Sequence, residues 1–302
     1  MKIVFMGTPE FAVPSLEAMI NSKHKIGAVV TTPDKERGRG QKVTFSPVKE
    51  YAIKVNIPVL QPENLKNENF ISSLKEINAD VFVIVAFRIL PKEVFTLPNK
   101  GTFNLHGSLL PKYRGAAPIQ WALINGEKET GLTTFFLKEK VDTGNIILQE
   151  KLEIKDEDNF GTLHDKMSRI GADLILKTLE LIELDKVELK EQDDSLATPA
   201  TKITKELCLI NWNEPAVKIH NLIRGLSPYP GAYFFNKGKQ IKVYKTATNK
   251  ETKLKPGEIL QSRSEAVIGC GENSISLLEL QPEGRKRLTI EEFLRGYSLI
   301  ED

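Results

Sequence analysis

Short β-rich runs alternate with amphipathic helical stretches through residues 1–185. This alternation constrains the fold most strongly, because parallel strands joined by crossover helices produce it. Residues 80–86 are almost entirely apolar, which predicts a strand buried on both faces at the centre of a sheet. We therefore expect a Rossmann-like α/β domain with a doubly wound, mostly parallel sheet. The other predicted strands are 2–6, 26–31, 102–105, 133–137 and 146–154, and the predicted helices are 10–20, one beginning at Ser46-Pro47, 67–77 and 161–183.

The pattern changes after residue 185. Residues 186–206 are polar and lack clean periodicity, which predicts a linker. Residues 207–302 begin with a helical stretch at 214–224, and short β-like runs separated by turn residues follow it. Such runs favour a small, OB-like β-barrel as a second domain. The β-like runs are 232–235, 240–245, 266–269 and 275–280.

Composition excludes several classes of protein. With 302 residues, of which 40% are hydrophobic and 27% charged, the chain does not resemble a disordered, collagenous or coiled-coil protein. Two cysteines, Cys208 and Cys270, are too few for a disulfide framework or a four-cysteine zinc site. The longest apolar run, 81–87, is too short to span a bilayer, and the N-terminus lacks a signal-peptide core. We expect a soluble, cytoplasmic protein.

Charge is unevenly distributed along the chain. The 42 basic residues nearly balance the 40 acidic ones, and the net charge of +2 does not indicate a nucleic-acid partner. Residues 207–255, however, contain nine basic and only two acidic residues, a net charge of +7. Such clustering on a small β domain is typical of surfaces that contact a phosphate backbone.

The segment Gly7-Thr8-Pro9 follows the first predicted strand. Ligands of open α/β sheets bind beyond the carboxyl ends of the strands, so this position is a candidate for ligand binding. The later glycines of a dinucleotide fingerprint and the P-loop lysine are both missing, which disfavours a nicotinamide enzyme. Two interpretations stay open: a tight turn that requires glycine, and a contact with substrate.

Asn104 and His106 lie two residues apart in the segment GTFNLHGSLLPKYRG. On a strand this spacing places both side chains on one face. An amide that stabilises an oxyanion beside an imidazole that moves a proton suits acyl chemistry. The following loop, 107–111, could hold a planar ligand with its backbone. The alternative is a polar strand end whose side chains are satisfied within the protein.

Asp142 lies in the turn Val141-Asp142-Thr143-Gly144 between two predicted strands. An aspartate in such a turn commonly caps it through its own side chain. If its carboxylate instead faces His106, it would orient and stabilise the protonated imidazole and complete an acid–base relay. The remaining histidines, His24, His164 and His220, lack partners at metal-ligand spacing.

The string FNLHGSLLPKYRGAAPIQWALINGEKETG, with VDTGNI downstream, resembles the 10-formyltetrahydrofolate-dependent formyltransferase family. The resemblance also includes MGTPEFAVPSLEAM, RGRGQKVTFSPVKEYA and LSPYPGAY, and so covers nearly the whole chain. The RGRG stretch and the second domain are features of the branch that formylates methionyl-initiator tRNA for translation initiation.

The resemblance implies a role for particular residues. Asn104, His106 and Asp142 match the catalytic trio, and Ser108, Leu109, Leu110 and Pro111 match the folate-contact loop. Arg39 and Lys42 fall in the charged loop 34–42, which by its composition could be simply a solvated charge run. In the family this insertion contacts the tRNA acceptor end, and residues 207–302 would bind tRNA. The implied co-substrate is 10-formyltetrahydrofolate, with no metal and no covalent enzyme intermediate. The implied protein is a monomer.

One stretch departs from the family pattern. Residues 86–91, AFRILP, are one residue shorter than usual and carry Arg88 where glycine is common. Arg88 could alter the rim of the folate pocket, pair with the donor's glutamate tail, or simply belong to a tighter turn. Two other functions stay open: formyl transfer to an amino-sugar nucleotide, and RNA binding without catalysis.

Overall fold

The protein was analysed as a computed structural model that describes residues 1–37 and 42–300. It contains two compact units. Unit 1 comprises Met1–Gly115, Gly131–Leu152 and His164–Pro199, and unit 2 comprises Ala116–Thr130, Glu153–Leu163 and Ala200–Asp302. The domain boundaries expected at residues 185 and 206 stay predictions.

The secondary structure follows the alternation of the sequence. The strands are β1 (Lys2–Gly7), β2 (Lys25–Val30), β3 (Lys35–Arg37), β4 (Lys42–Thr44), β5 (Val59–Leu60), β6 (Val81–Val85), β7 (Thr102–His106), β8 (Arg114–Gly115), β9 (Glu129–Phe136), β10 (Ile146–Glu153), β11 (Pro199–Ala200), β12 (Ala232–Asn236), β13 (Lys239–Asn249), β14 (Ile259–Gln261), β15 (Ala266–Gly269), β16 (Ser274–Pro282) and β17 (Leu288–Thr289). The helices are α1 (Val13–Ile20), α2 (Pro47–Lys54), α3 (Glu68–Ile77), α4 (Lys92–Phe95), α5 (Pro118–Ile124), α6 (Phe160–Glu183), α7 (Ala216–Gly225) and α8 (Ile290–Leu294).

The main sheet has seven strands in the order β10-β9-β7-β6-β1-β2-β5. Strands β5, β2, β1, β6 and β7 pair in parallel, and β9 runs antiparallel to β7. All five residues of β6 are buried at the centre of the sheet, as their apolar character predicted. The Rossmann-like, mostly parallel α/β sheet is therefore confirmed.

Local signals explain where the crossover helices begin. The Ser46 hydroxyl accepts a hydrogen bond from the Lys49 amide at 3.1 Å, and Pro47 occupies the first position of α2. Asn67 caps α3 in the same way, and its side chain accepts the amides of Asn69 and Phe70. Phe70 packs in a buried cluster with residues of β1 and β6, which holds α3 against the sheet.

The sheet of unit 2 is antiparallel, in the order β12-β13-β16-β15-β14 with β17 paired to β16. It forms a half-barrel, which confirms the predicted small β domain. Ile219 and Ile223 of α7 lie in its core, and Ile124 of α5 packs against the same core. Helices α5 and α8 and strands β5 and β14 were not predicted, because each is too short to show a clear periodicity.

Candidate active site

Asn104 lies on β7, and its side chain is half-buried. Within the described residues, no protein group hydrogen-bonds to its amide. The pairing of β7 with β6 and β9 holds the backbone of residue 104 on both sides, opposite Ile84 and Phe135. The sheet therefore holds the backbone of Asn104 in place, and the N–H and C=O groups of its side-chain amide are available to a ligand.

His106 ends the same strand and is 6% exposed. Its Nε2 lies 2.8 Å from the carbonyl oxygen of Tyr113. Because a carbonyl can only accept, Nε2 carries the proton in the neutral ring, and Nδ1 has the lone pair. The ring also meets Phe135 edge to face, with centroids 6.5 Å apart. Both contacts fix the imidazole plane.

Asp142 faces the other side of the imidazole. Its Oδ2 lies 3.8 Å from His106 Nδ1, too far for a hydrogen bond but close enough for a strong electrostatic interaction once Nδ1 gains a proton. Oδ2 also accepts a hydrogen bond of 2.8 Å from the backbone N–H of Gly115. The carboxylate is therefore directed at His106, and the simple turn cap does not describe its side chain.

The loop of Ser108, Leu109, Leu110 and Pro111 follows His106 directly. Ser108 is fully buried, and its hydroxyl donates to the Lys112 carbonyl at 2.6 Å. Leu109 and Pro111 are partly exposed. The loop thus turns mainly apolar groups outward, while Ser108 is committed to contacts within the protein.

Two side chains that the sequence analysis did not single out hold this loop. The Thr133 hydroxyl donates to the Ser108 carbonyl at 2.7 Å and accepts the Leu110 amide at 3.1 Å. The Gln149 amide donates to the Leu110 carbonyl at 2.9 Å. Their partners in the loop are backbone groups distant in sequence, so no motif marks them.

Gly7 ends β1 where no side chain fits. A Cβ there would lie 2.9 Å from the Ala12 Cβ and 3.0 Å from the Val85 carbonyl oxygen. Close packing therefore explains the glycine. The neighbouring Thr8 hydroxyl is buried and has no hydrogen-bond partner among the described residues, so a substrate contact at Thr8 stays a prediction.

Arg88 is turned toward the backbone of a neighbouring segment. Its guanidinium donates to the carbonyls of Pro62 at 2.6 Å and Glu63 at 2.9 Å, and burial lowers its pKa. It borders a cavity of about 460 Å³ that Leu65 and Ile89 also line. These contacts tie Arg88 to the segment at residues 62 and 63, and its effect on the folate pocket stays a prediction.

Comparison with known protein families shows which family the chain belongs to. Residues 1–179 match the family described as formyl transferase, and residues 202–298 match the formyl transferase C-terminal domain. The chain belongs to the formyl transferase family. The methionyl-tRNA formyltransferase of Caldanaerobacter subterraneus is 49% identical over an alignment of 304 positions, which covers 100% of this chain and 98% of that protein. The methionyl-tRNA formyltransferase of Flavobacterium johnsoniae is 45% identical over an alignment of 309 positions, which again covers 100% of this chain and 98% of that protein.

Solved structures share the fold of this formyl transferase. WlaRD, a sugar 3N-formyl transferase solved with dTDP and 5-N-formyl-THF, superposes with a TM-score of 0.69 at 21% identity. The match covers 95% of this chain and 99% of WlaRD. The N-formyltransferase from Helicobacter canadensis, solved with folinic acid and dTDP-3-aminofucose, gives 0.68 at 23% identity and covers 95% and 100%. Both support the α/β domain followed by an antiparallel domain.

The residues predicted to contact tRNA are only partly described in this formyl transferase. Arg39 lies outside the described residues, and so does the side chain of Lys42, whose backbone begins β4. In the basic segment 207–255, seven lysines are exposed. They are Lys218, Lys237, Lys239, Lys245, Lys250, Lys253 and Lys255.

Arg224 differs from the expectation drawn from charge. The charge of the segment predicts a cation on the surface, but Arg224 is only 8% exposed. Its guanidinium donates to Asn221 Oδ1 at 2.9 Å and to the Lys155 carbonyl at 3.3 Å, and burial lowers its pKa. This cation therefore stabilises the interior of unit 2 and is not part of the surface.

Residues 1–37 and 42–300 contain no group of three or more histidine, cysteine, aspartate or glutamate side chains placed to hold a metal ion. No helix within the same ranges is long and apolar enough to cross a membrane.

Proposed function

We propose that this formyl transferase moves the formyl group of 10-formyltetrahydrofolate to the free α-amino group of methionyl-initiator tRNA. The product is N-formylmethionyl-tRNA, which serves translation initiation. One observation carries the proposal: similarity to methionyl-tRNA formyltransferases runs through both domains of the chain at 49% identity. The arrangement of Asn104, His106 and Asp142 supports the same chemistry.

The reaction begins when the neutral amine attacks the formyl carbon. A C–N bond forms, the formyl carbon becomes tetrahedral, and its oxygen becomes an oxyanion. Asn104 donates an amide hydrogen to that oxyanion, and within the described residues it breaks no protein hydrogen bond to do so. Because the amine attacks directly, the step needs no covalent enzyme intermediate.

His106 moves the proton through Nδ1, since the Tyr113 carbonyl occupies the Nε2 hydrogen. Nδ1 takes a proton from the attacking amine and delivers it to the folate nitrogen as the second C–N bond breaks. The imidazolium formed in between is stabilised by Asp142 at 3.8 Å and adds positive charge near the oxyanion. The proton released by the amine thus leaves with tetrahydrofolate.

The substrates contact separate parts of the chain. In the folate-contact loop of Ser108, Leu109, Leu110 and Pro111, the outward apolar groups of Leu109 and Pro111 border the flat face of the folate ring, and the buried Ser108 and Leu110 hold the loop from within. Arg39 and Lys42 contact the acceptor end of the tRNA, and the exposed lysines of unit 2 contact its phosphates. The protein acts as a monomer in the cytoplasm.

A direct assay tests this function. The protein is incubated with 10-formyltetrahydrofolate and methionyl-initiator tRNA, and formylmethionine is measured, with a dTDP-amino sugar as the competing acceptor. We expect formylmethionine only. Asn104→Ala should lower kcat about 10²–10³-fold and His106→Ala about 10²–10⁴-fold without unfolding the protein. Formylation of the sugar alone would overturn the proposal, and tRNA binding without turnover would favour a catalytically silent RNA-binding protein.

A further inference from the structure

We propose that Gln192 is a positioning residue that holds Asp142 against His106. The segment 186–206, predicted as a linker, thereby supplies a side chain that positions a catalytic residue. This inference rests on the proposed formyl transfer, because it assigns Gln192 a role in that reaction. Gln192 is half-buried, and both it and the trio lie in unit 1.

The Gln192 amide captures the turn that carries Asp142. Its Nε2 donates to the carbonyl of Asp142 at 2.9 Å and to the carbonyl of Gly144 at 2.7 Å. Both hydrogens of the amide are therefore used on one turn. The turn needs such support, because Asp142 has a φ of 54°, in the left-handed region of backbone conformation that residues other than glycine rarely adopt.

Arg114 determines which way the Gln192 amide points. The Nε and Nη2 of Arg114 donate to Gln192 Oε1 at 3.1 and 2.7 Å. A guanidinium only donates, so it selects the oxygen, and the nitrogen must face the two carbonyls. The amide cannot flip without placing donor against donor and acceptor against acceptor. Its orientation is therefore set by contacts on both sides.

The same segment also supports the opposite side of His106. The Thr198 hydroxyl accepts the Tyr113 amide at 2.9 Å, and the Thr198 carbonyl accepts the Arg114 amide at 2.8 Å. Tyr113 supplies the carbonyl that holds His106 Nε2. Residues 192–198 thus fix both groups between which the imidazole lies.

The first test uses Gln192→Glu, which keeps the size of the side chain and its acceptors for Arg114 but has no hydrogens for the two carbonyls. We expect kcat to fall about 10–100-fold, since a misplacement near 1 Å at a catalytic group costs up to about 10²-fold. KM for both substrates should stay within about twofold. Gln192→Ala should behave alike. Glu191→Gln, an exposed neighbour, is the matched control and should keep wild-type kcat.

A double-mutant cycle separates positioning from a general structural role. If Gln192 acts through Asp142, Gln192→Glu should lower kcat less than twofold further in an Asp142→Asn background. If the fold-losses in kcat of Gln192→Glu and Asp142→Asn multiply in the double variant, the inference is overturned. An unchanged kcat in Gln192→Glu, or unfolding of both Gln192 variants, would also overturn it. A wild-type protein that forms no formylmethionine would instead overturn the proposed function, so the two failures are distinguishable.

Discussion

Replacing Asp142 with asparagine removes the charge of the carboxylate and retains its hydrogen bond. The asparagine oxygen can still accept the Gly115 N–H that now lies 2.8 Å from Oδ2. The turn is also held through the backbone carbonyl of residue 142, which the substitution leaves in place. Asp142→Asn therefore isolates the electrostatic effect of the carboxylate on His106.

The structure sets the size of that effect. Unit charges 3.8 Å apart, the Nδ1–Oδ2 distance, interact by about 4 kcal/mol at an effective dielectric constant of about 20. That energy corresponds to roughly 10³ in rate. The carboxylate is 12% exposed, so water screens part of the interaction. We expect kcat to fall about 10²–10³-fold with saturating donor and methionyl-tRNA.

Glu139→Gln is the matched control, because it also replaces a carboxylate with an amide in the loop that joins β9 to β10. Glu139 is exposed and paired with Lys92, and exposed ion pairs contribute only about 0–1 kcal/mol. Its kcat should stay within about twofold of wild type. If Asp142→Asn, folded as judged by its thermal unfolding, keeps more than about a third of wild-type kcat, the charge of Asp142 does not drive the proton transfer.

Three further predictions concern stability and tRNA binding. Gly7→Ala should lower the free energy of unfolding in urea by about 1–3 kcal/mol, because its Cβ would meet Ala12 and Val85; an unchanged midpoint would contradict this. Burial lowers the pKa of His220, so the unfolded state binds more protons below about pH 6.5 and stability falls as pH drops. His220→Gln should reduce that loss between about pH 7 and 5, measured by urea unfolding, and an identical loss would count against it. Replacing Lys245 and Lys250 with alanine should reduce the salt dependence of tRNA binding by about 0.7–0.9 in log–log slope for each phosphate that is no longer neutralised, and an unchanged slope would place the tRNA elsewhere.

The sequence predicted the positions of most elements in the main sheet, because the signals involved are local. The buried run at 80–86 became the central strand β6, and Ser46 and Asn67 cap the helices that they precede. Short elements such as α5 and β14 escaped, since a few residues cannot display a period.

The sequence predicted some residues of the candidate site and missed the roles of others. Asn104 and His106 were placed on one strand because both belong to one short motif. The sequence predicts only a linker around Gln192, since a polar stretch without periodicity does not show what its side chains bind. Composition places Arg224 with the surface charges, because it does not show that this cation is 8% exposed and bound to carbonyl oxygens.

The sequence by itself determined the fold class, the family, and the pairing of Asn104 with His106, because strand periodicity and motif spacing are properties of neighbouring residues. Only the tertiary structure decided which nitrogen of His106 is available and how far Asp142 lies from it. Those facts depend on the carbonyl of Tyr113, the N–H of Gly115 and the amide of Gln192. Backbone groups are nearly the same in every residue, so their partners are set by the folded chain and leave no mark in the sequence.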